Sequence, residues 1–367
     1  MKICYIAEAG SIHTKKWMKY FVGRGHNVDL ISRKSFEAND IENVNLHWLS
    51  TFRHPLFLRY LCDTIEVRRL VKEIKPDILH IHYAVGYGLL GALSSFHPFI
   101  LSVWGSDVLV APKQSKIYKL TVELAIGRAD VIHCDADHII APLLKLGAKP
   151  EKINLVYFGV DTQKFKPMQG NEEFRERLGV ADLPTVISVR SLEPIYDIET
   201  LINSMPLVLK EIPETKFSIV GGGSQEAKLK EQAKSLGISP SVKFTGRIPN
   251  DELPEYLNSA DIYVSTSLSD AGLASSTAEA MACGLPVIIT DFGDNKKWVE
   301  DGINGFLIPL KNPQALASKI VYLIRNKEIR NRFGHINRQI IVDRNDWAKE
   351  MAKIEKLYES LVERSKR

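Results

Sequence analysis

Asp261-Ile262-Tyr263-Val264-Ser265-Thr266-Ser267-Leu268-Ser269-Asp270-Ala271-Gly272-Leu273-Ala274-Ser275-Ser276-Thr277-Ala278-Glu279-Ala280-Met281-Ala282-Cys283-Gly284-Leu285-Pro286-Val287-Ile288-Ile289-Thr290 is the stretch on which the fold turns. Residues 261–266 read as a buried strand that ends in hydroxyl side chains. A loop of small residues follows, and Gly272 lets the backbone come close to a ligand there. Ser275, Ser276 and Thr277 then open a helix, as N-capping residues do. Residues 286–290 are the next apolar strand. The helix start offers several free N–H groups, which suit a phosphate-bearing ligand. Glu279, on the first or second turn, has two readings: it grips paired hydroxyls such as those of a ribose, or it is the acid of a capping box.

The same alternation runs outward in both directions. Before it lie strands at 185–189, 216–220 and 242–245, with helices at 198–212 and 225–236; after it comes a strand at 306–308, and from about Pro313 the chain is helical and charged. In the first half, strands are expected at 2–7, 27–32, 44–49, 77–82, 99–104 and 129–134, with helices at 13–24 and 56–74. Strands alternating with helices predict parallel sheets covered on both faces, and short apolar runs fit strands buried on both sides. The pattern pauses in a polar stretch between about 157 and 185. The fold class expected is therefore α/β, with two doubly wound Rossmann-like domains facing across a cleft. The first domain is placed at 1–165 and the second at 166–345. A last helix, about 345–367, is expected to pack back on the first domain. No internal repeat marks an array.

Length and composition agree. The chain has 367 residues, enough at roughly 100–200 per domain for two domains, each with its own core. Apolar residues make up 45% and charged residues 25%, which excludes a disordered, collagen-like or disulfide-scaffold chain. No apolar run approaches the roughly 20 residues of a membrane span, and residues 1–8 lack a signal-peptide core, so a cytoplasmic protein is expected. Cys4, Cys62, Cys134 and Cys283 are scattered without a CxxC pair, which fits a reducing compartment without structural zinc. Residues 1–170 hold 22 basic against 16 acidic residues (+6), and the remainder 26 against 28 (−2). Lys15, Lys16, Lys19 and Arg24 lie among Trp17, Tyr20 and Phe21. Such a cluster could meet an anionic headgroup or acceptor at the inner face of a membrane. The spacing favours the plainer reading, a helix with its rings in the core and its lysines in water. Without a basic run or RNA-binding signature, nucleic acid is not an expected partner.

The usual nucleotide loops are missing. After the first strand, residues 8–13 carry one glycine, and Gly221-Gly222-Gly223-Ser224 lacks the later glycine of a dinucleotide fingerprint. No glycine leads into Gly-Lys-Ser/Thr, so a P-loop is also absent. The triple glycine reads either as a tight strand-to-helix turn or as backbone laid close to a ligand.

The tail of the opening stretch, Glu279-Ala280-Met281-Ala282-Cys283-Gly284-Leu285-Pro286-Val287, resembles the donor-binding signature of glycosyltransferase family four. Further resemblances lie at Arg24–Val28, Pro76–His82, Gly159-Val160-Asp161 with Phe165 and Pro167, Val220–Gly223, Phe244–Gly246 and Asp301–Phe306. They span nearly the whole chain. The resemblance implies a GT-B-type fold and transfer of a sugar, with retention, from a UDP- or GDP-linked donor to a glycan, lipid-linked or other hydroxyl acceptor. It implies neither a metal nor a further cofactor. Donor contacts are expected from Glu279, Gly272, Leu273, Ala274, Ser275, Ser276, Tyr196, Gly222, Gly246 and Arg247. Catalytic roles are expected at Arg190, Asp270, Asp107 and His82, and Gly10, Ser11 and His13 form the acceptor-side loop.

Three departures from the family pattern stand out. The first acid of the family's Glu-x7-Glu pair would fall at Ala271, and Asp270 beside it is expected to supply the carboxylate. Ser191 and Tyr196 stand where the family has Arg and Lys, leaving Arg190 as the cation, with Lys296 or Lys297 as more distant candidates. Trp104-Gly105-Ser106-Asp107 replaces His-Gly-x-Asp, which leaves proton handling there to His82 or His13, although a lone histidine at a strand end is as often structural. Two other functions fit the same residues: a nucleotide-sugar 2-epimerase, and a binding protein without catalysis.

Overall fold

The computed structural model describes residues 1–33, 42–50, 56–168, 171–269 and 272–366. The chain divides into two compact units, Met1–Tyr157 with Glu350–Arg367, and Phe158–Lys349.

The first unit is wound on a parallel sheet of β1 (Lys2–Ile6), β2 (Asn27–Arg33), β3 (Val44–Leu49), β4 (Ile78–His82), β5 (Phe99–Val103), β6 (Val131–Cys134) and β7 (Ile153–Leu155). Their order is β3-β2-β1-β4-β5-β6-β7. Every residue of β4 and β5 is buried, because helices cover both faces; apolar runs rather than alternation are the result. On one face, helices Leu56–Ile74, Tyr87–Ser94 and Lys116–Arg128 send Val67, Leu90, Val122 and Ala125 into a core with Ile81 and Leu101. On the other, Trp17 and Phe21 of helix Ile12–Gly23 are 2% and 0% exposed. The rings of the basic-aromatic stretch therefore belong to the core, and Lys19 and Arg24 are left in solvent. The last helix, Trp347–Ser365, joins this face from Glu350 onward, with Tyr358 stacked on Phe21 at 5.0 Å.

The second unit repeats the plan with β8 (Thr185–Val189), β9 (Lys216–Val220), β10 (Val242–Gly246), β11 (Ile262–Ser265), β12 (Val287–Thr290) and β13 (Gly305–Ile308). The order β10-β9-β8-β11-β12-β13 is again wholly parallel. Ile202, Met205, Ile219, Val264, Ile288 and Leu316 meet in its core. Strand order reverses between β1 and β4 in the first sheet and between β8 and β11 in the second. The carboxyl ends at these reversals are where open α/β sheets take ligands.

The boundary lies at 157/158 rather than 165/166. Val160 explains the shift: its N–H donates to Asn345 O and its carbonyl accepts from Trp347 N–H, both at 2.8 Å. Arg338 also donates to the carbonyls of Thr162 and Phe165. These contacts commit residues 158–165 to the second unit. No helix among the described residues is long and apolar enough to cross a membrane.

Candidate functional site

The carboxyl ends of β8, β9 and β10 and the start of helix Ser275–Ala282 surround a cavity of about 440 Å³. Arg190, Tyr196, Gly222, Arg247, Ser275, Ser276 and Glu279 all line it. Seven of the expected site residues, spread over ninety positions of chain, are thus brought to one place by the sheet topology.

The helix start differs from its expected form. Ala274 occupies the N-cap position, and no side chain caps the first turn. The Ser276 hydroxyl lies 2.9 Å from Tyr263 Oη, and the Thr277 hydroxyl donates to the same oxygen at 3.2 Å. Ser276 and Thr277 therefore anchor the helix to β11 rather than capping it. The first turn, with N–H groups that no side chain caps and the positive end of the helix dipole, begins at Ser275 and Ser276, which line the cavity. Glu279 is the fifth residue of the helix, beyond the third position a capping box uses. Half-buried, it lines the cavity.

Arg190 follows β8 directly, and its guanidinium carbon lies 4.3 Å from the centroid of the Tyr196 ring. The triple glycine serves packing and cavity together. A Cβ on Gly221, at φ +142°, would collide with the Arg190 carbonyl oxygen, and one on Gly223 with that of Leu192. Gly221 and Gly222 line the cavity, and Gly223 does not. Gly246 stands behind, its carbonyl accepting from Gly221 N–H at 2.9 Å. Glu193 accepts from the backbone N–H (2.9 Å) and the hydroxyl (2.5 Å) of Ser224, tying the loops after β8 and β9 together. These bonds hold its carboxyl below the usual range.

Gly272, at φ +90°, Leu273 and Ala274 lead into the helix without lining the cavity. Asp270 lies outside the described residues. Lys296 and Lys297 pair with Asp291 and Asp294 instead.

A second cavity, about 280 Å³, lies in the first unit beside β1 and β4. Ser11, His13 and His82 line it, together with Glu8, Thr14, Tyr83, Tyr87 and Trp104. Of the expected acceptor loop, Gly10 stays behind the wall, its N–H reaching Glu8 Oε1 at 3.5 Å. His13 stacks on Trp104 at 5.7 Å, and Tyr87 donates to Glu8 at 3.0 Å. Glu8, Tyr83 and Tyr87 carry no motif, and they were not legible from the sequence as cavity residues. Tyr83, at φ +81°, holds a strained backbone at the cavity edge.

His82 is 3% exposed, boxed by Tyr5, Trp17, His80 and Trp104, and neither ring nitrogen has a hydrogen-bond partner among the described residues. Burial, with His133 and His13 nearby, pushes it down to about 3. It is a neutral imidazole at physiological pH, and too weak a base to take a proton. Asp107 is fully buried and does not line either cavity; its carboxylate accepts from Ala84 N–H at 2.8 Å and Trp104 N–H at 3.0 Å. Burial raises it to about 6, against those backbone bonds. In place of the expected catalytic role, the geometry gives Asp107 the holding of the loop that presents Trp104. Among the described residues no group of three or more His, Cys, Asp or Glu is placed to hold a metal ion.

Comparison with known proteins converges on one class. Residues 170–340 match the family model described as glycosyl transferases group 1, and residues 2–136 match glycosyl transferase 4-like. The GDP-mannose-dependent alpha-(1-6)-phosphatidylinositol monomannoside mannosyltransferase of Mycolicibacterium smegmatis is 30% identical over 359 residues, 94% of each chain. The N-acetyl-alpha-D-glucosaminyl L-malate synthase of Bacillus anthracis is 22% identical over 371 residues, covering 97% of this chain and 95% of that protein. Among solved structures, Anabaena HepE in complex with UDP-glucose matches with a TM-score of 0.81 at 22% identity, over 98% of this chain and all of that one.

Proposed function

This chain belongs to glycosyltransferase family four, and from that premise we propose that it moves a sugar from a nucleoside-diphosphate donor to a hydroxyl acceptor with retention and without a metal. The observation that carries the proposal is the cavity where Arg190, the uncapped start of the Ser275–Ala282 helix and Glu279 meet. Arg190 and the amides near Ser275 meet the charge that grows on the diphosphate as the glycosidic bond breaks. Glu279 accepts hydrogen bonds from the ribose hydroxyls, and the Gly246-Arg247 segment holds the base. The donor is UDP- or GDP-linked. Two similar proteins support this range: one is named as GDP-mannose-dependent, and the other was solved with UDP-glucose.

The reaction proposed is a front-face displacement. The bond from the anomeric carbon to the diphosphate oxygen breaks, and the acceptor oxygen bonds to the same face. The acceptor proton passes to the departing phosphate, so no side chain need act as base. That suits His82, whose neutral ring can accept a hydrogen bond but does not take up a second proton. The acceptor is a glycan or lipid-linked hydroxyl. The aromatic cavity of Trp104, His13, Tyr83 and Tyr87, with the Glu8 carboxylate, suits a polyhydroxylated ring stacked on one face and hydrogen-bonded at its rim.

The test is a nucleotide-release assay across UDP- and GDP-sugars, with and without acceptor and chelator, and NMR of the product anomer. Acceptor-dependent release, an axial product from an axial donor, and indifference to chelator are expected. An inverted product, or activity restored only by a divalent cation, would contradict the reading. Arg190→Ala and Glu279→Ala are each expected to lose activity by at least about tenfold, the value of one charged hydrogen bond.

A further inference from the structure

A cavity of about 220 Å³ opens at the amino end of β13 in the second unit. All strands of this parallel sheet begin on that side, whereas the cavity at Ser275 lies beyond their carboxyl ends. The two cavities are therefore separate. Phe306 of β13 and Phe333 of helix Lys327–Arg344 line the new one from the core, 5% and 1% exposed. Tyr322 of helix Pro313–Arg325 lines it from the surface. Tyr322 and Phe333 both meet Phe306 edge to face, with centroids at 5.7 and 5.6 Å. That arrangement fixes the rings against one another.

Two cations enter the same cavity from different helices. Lys319 Nζ lies 4.1 Å from the centroid of Phe306, and the guanidinium carbon of Arg332 lies 5.6 Å from that of Phe333. None of the described residues lining the cavity is acidic. Asp301, beside the lining Gly302, accepts from Leu307 N–H at 2.9 Å. Neither Lys319 nor Arg332 forms an ion pair among the described residues, while Arg325 and Arg330 nearby pair with Glu211 and Asp261. A ring face steadies a cation without cancelling its charge. A recess holding two such charges between apolar walls draws anions in.

We propose that this cavity binds a small phosphate monoester, its phosphate between Lys319 and Arg332 and its ring against Tyr322. The guanidinium fork matches two phosphate oxygens and the ammonium takes another. A carboxylate has one oxygen fewer to share between the two groups. The volume lies below the roughly 300–1,000 Å³ of drug-sized sites, which suits one ring with its phosphate and leaves no room for a whole nucleoside-diphosphate sugar. This inference does not depend on the sugar-transfer reading, since binding is measured without donor or acceptor.

The experiment is calorimetric titration of the full chain with phenyl phosphate, glucose 6-phosphate and inorganic phosphate. Lys319→Gln/Arg332→Gln, Tyr322→Ala and Arg190→Ala are run beside it, with thermal unfolding as the folding control. At least one ring phosphate should bind about 2- to 10-fold more tightly than inorganic phosphate, the value of one ring contact. The tighter of the two assigns the ring as aromatic or carbohydrate. Tyr322→Ala should erase that margin. The double glutamine variant should lose at least about tenfold in affinity, the value of one charged hydrogen bond, at unchanged melting temperature. If it melts early, Arg332→Gln alone, at an exposed position, carries the same test. Arg190→Ala should bind as the parent does. No binding by the parent, parent-like binding by the glutamine variants, or inorganic phosphate as tight as both ring phosphates would overturn the proposal. So would a loss confined to Arg190→Ala, which would place the probe in the cavity at Ser275.

Discussion

The guanidinium of Arg190 lies over the face of Tyr196, 4.3 Å from the ring centroid, at the edge of the second unit's cavity. Sequence resemblance marks position 196 as one where the family carries a lysine. The tyrosine does not replace that charge; its ring steadies the neighbouring cation, an interaction worth about 0.5–2 kcal/mol depending on solvation. Tyr196→Phe keeps the ring and should keep turnover within about threefold. Tyr196→Ala frees Arg190 and should cost about 2- to 30-fold in kcat/KM, the kinetic equivalent of that energy. Steady-state kinetics with the best donor read both variants. Equal loss in both would show that the hydroxyl, not the ring, matters.

Gly221 sets the distance between the loops that follow β8 and β9. Its φ of +142° and the Arg190 carbonyl beside it leave no room for a methyl group. Gly221→Ala should lower stability by about 1–3 kcal/mol through strain and overpacking, and weaken nucleotide binding by displacing Arg190. Gly237→Ala, also at positive φ but with open space around the added methyl, is the control: it should lower stability without weakening binding. Denaturant unfolding and calorimetric titration with UDP and GDP check both.

His82 makes stability depend on pH in a stated direction. Its folded value of about 3 lies below the usual 6.5. The unfolded chain therefore binds a proton that the folded chain refuses as the pH falls from 6.5 toward 3, and stability is lost on that side. Between pH 6.5 and 5 this amounts to roughly 2 kcal/mol at 1.36 kcal/mol per unit. Asp107, raised to about 6, and Asp135, raised to about 7, work in the opposite sense over part of the range, and His133, lowered to about 4, works in the same sense, so the parent's total slope mixes them all. The difference between parent and His82→Gln isolates the histidine. Relative to its own value at pH 7, the variant should gain on the parent by about 2 kcal/mol at pH 5. A pH-independent difference would mean that the folded imidazole titrates as it does in the unfolded chain, and would contradict the buried, neutral ring.

Beneath His82 a hydrogen-bond chain fixes the direction of every donor. His133 Nε2 lies 2.9 Å from the Val156 carbonyl, which can only accept, so that nitrogen carries the proton. His133 Nδ1 then accepts from Ser102, Ser102 accepts from His80 Nε2, and His80 Nδ1 accepts from the Tyr358 hydroxyl. Tyr358 in turn accepts from Tyr5 at 3.1 Å. The last helix is thereby tied to β1, β4, β5 and β6. Tyr358→Phe leaves a buried acceptor on His80 and a buried donor on Tyr5, and should cost about 1–3 kcal/mol in unfolding free energy. Hydrogen exchange should speed up first along residues 350–365.

The architecture was legible because the central strands of both sheets are buried on both faces, which writes them as short apolar runs between turn signals. The second unit's cavity was legible because its side chains sit at strand ends and a helix start. The capping of that helix was misread: three hydroxyl residues in a row suggest an N-cap, but only the fold shows Tyr263 waiting beneath two of them. Helix Lys116–Arg128 escaped notice for a physical reason. With Ile117, Leu120 and Leu124 outside and Val122, Ala125 and Ile126 inside, apolar residues on two sides blur the 3.6-residue rhythm that its Lys116, Lys119 and Glu123 would otherwise set. β7 is three half-buried residues at a sheet edge, too short for any pattern. Glu8, Tyr83 and Tyr87 become neighbours only when β1 and β4 pair.

The proposed transfer requires a diphosphate at the start of the Ser275–Ala282 helix, and a crystal structure of the chain soaked with UDP or GDP tests that placement most directly. The expected result is phosphate oxygens within hydrogen-bond distance of the backbone N–H groups at Ser275 and Ser276 and of Arg190, with the ribose hydroxyls on Glu279. Nucleotide bound elsewhere, or a Glu279 carboxylate turned away from the sugar, would contradict it.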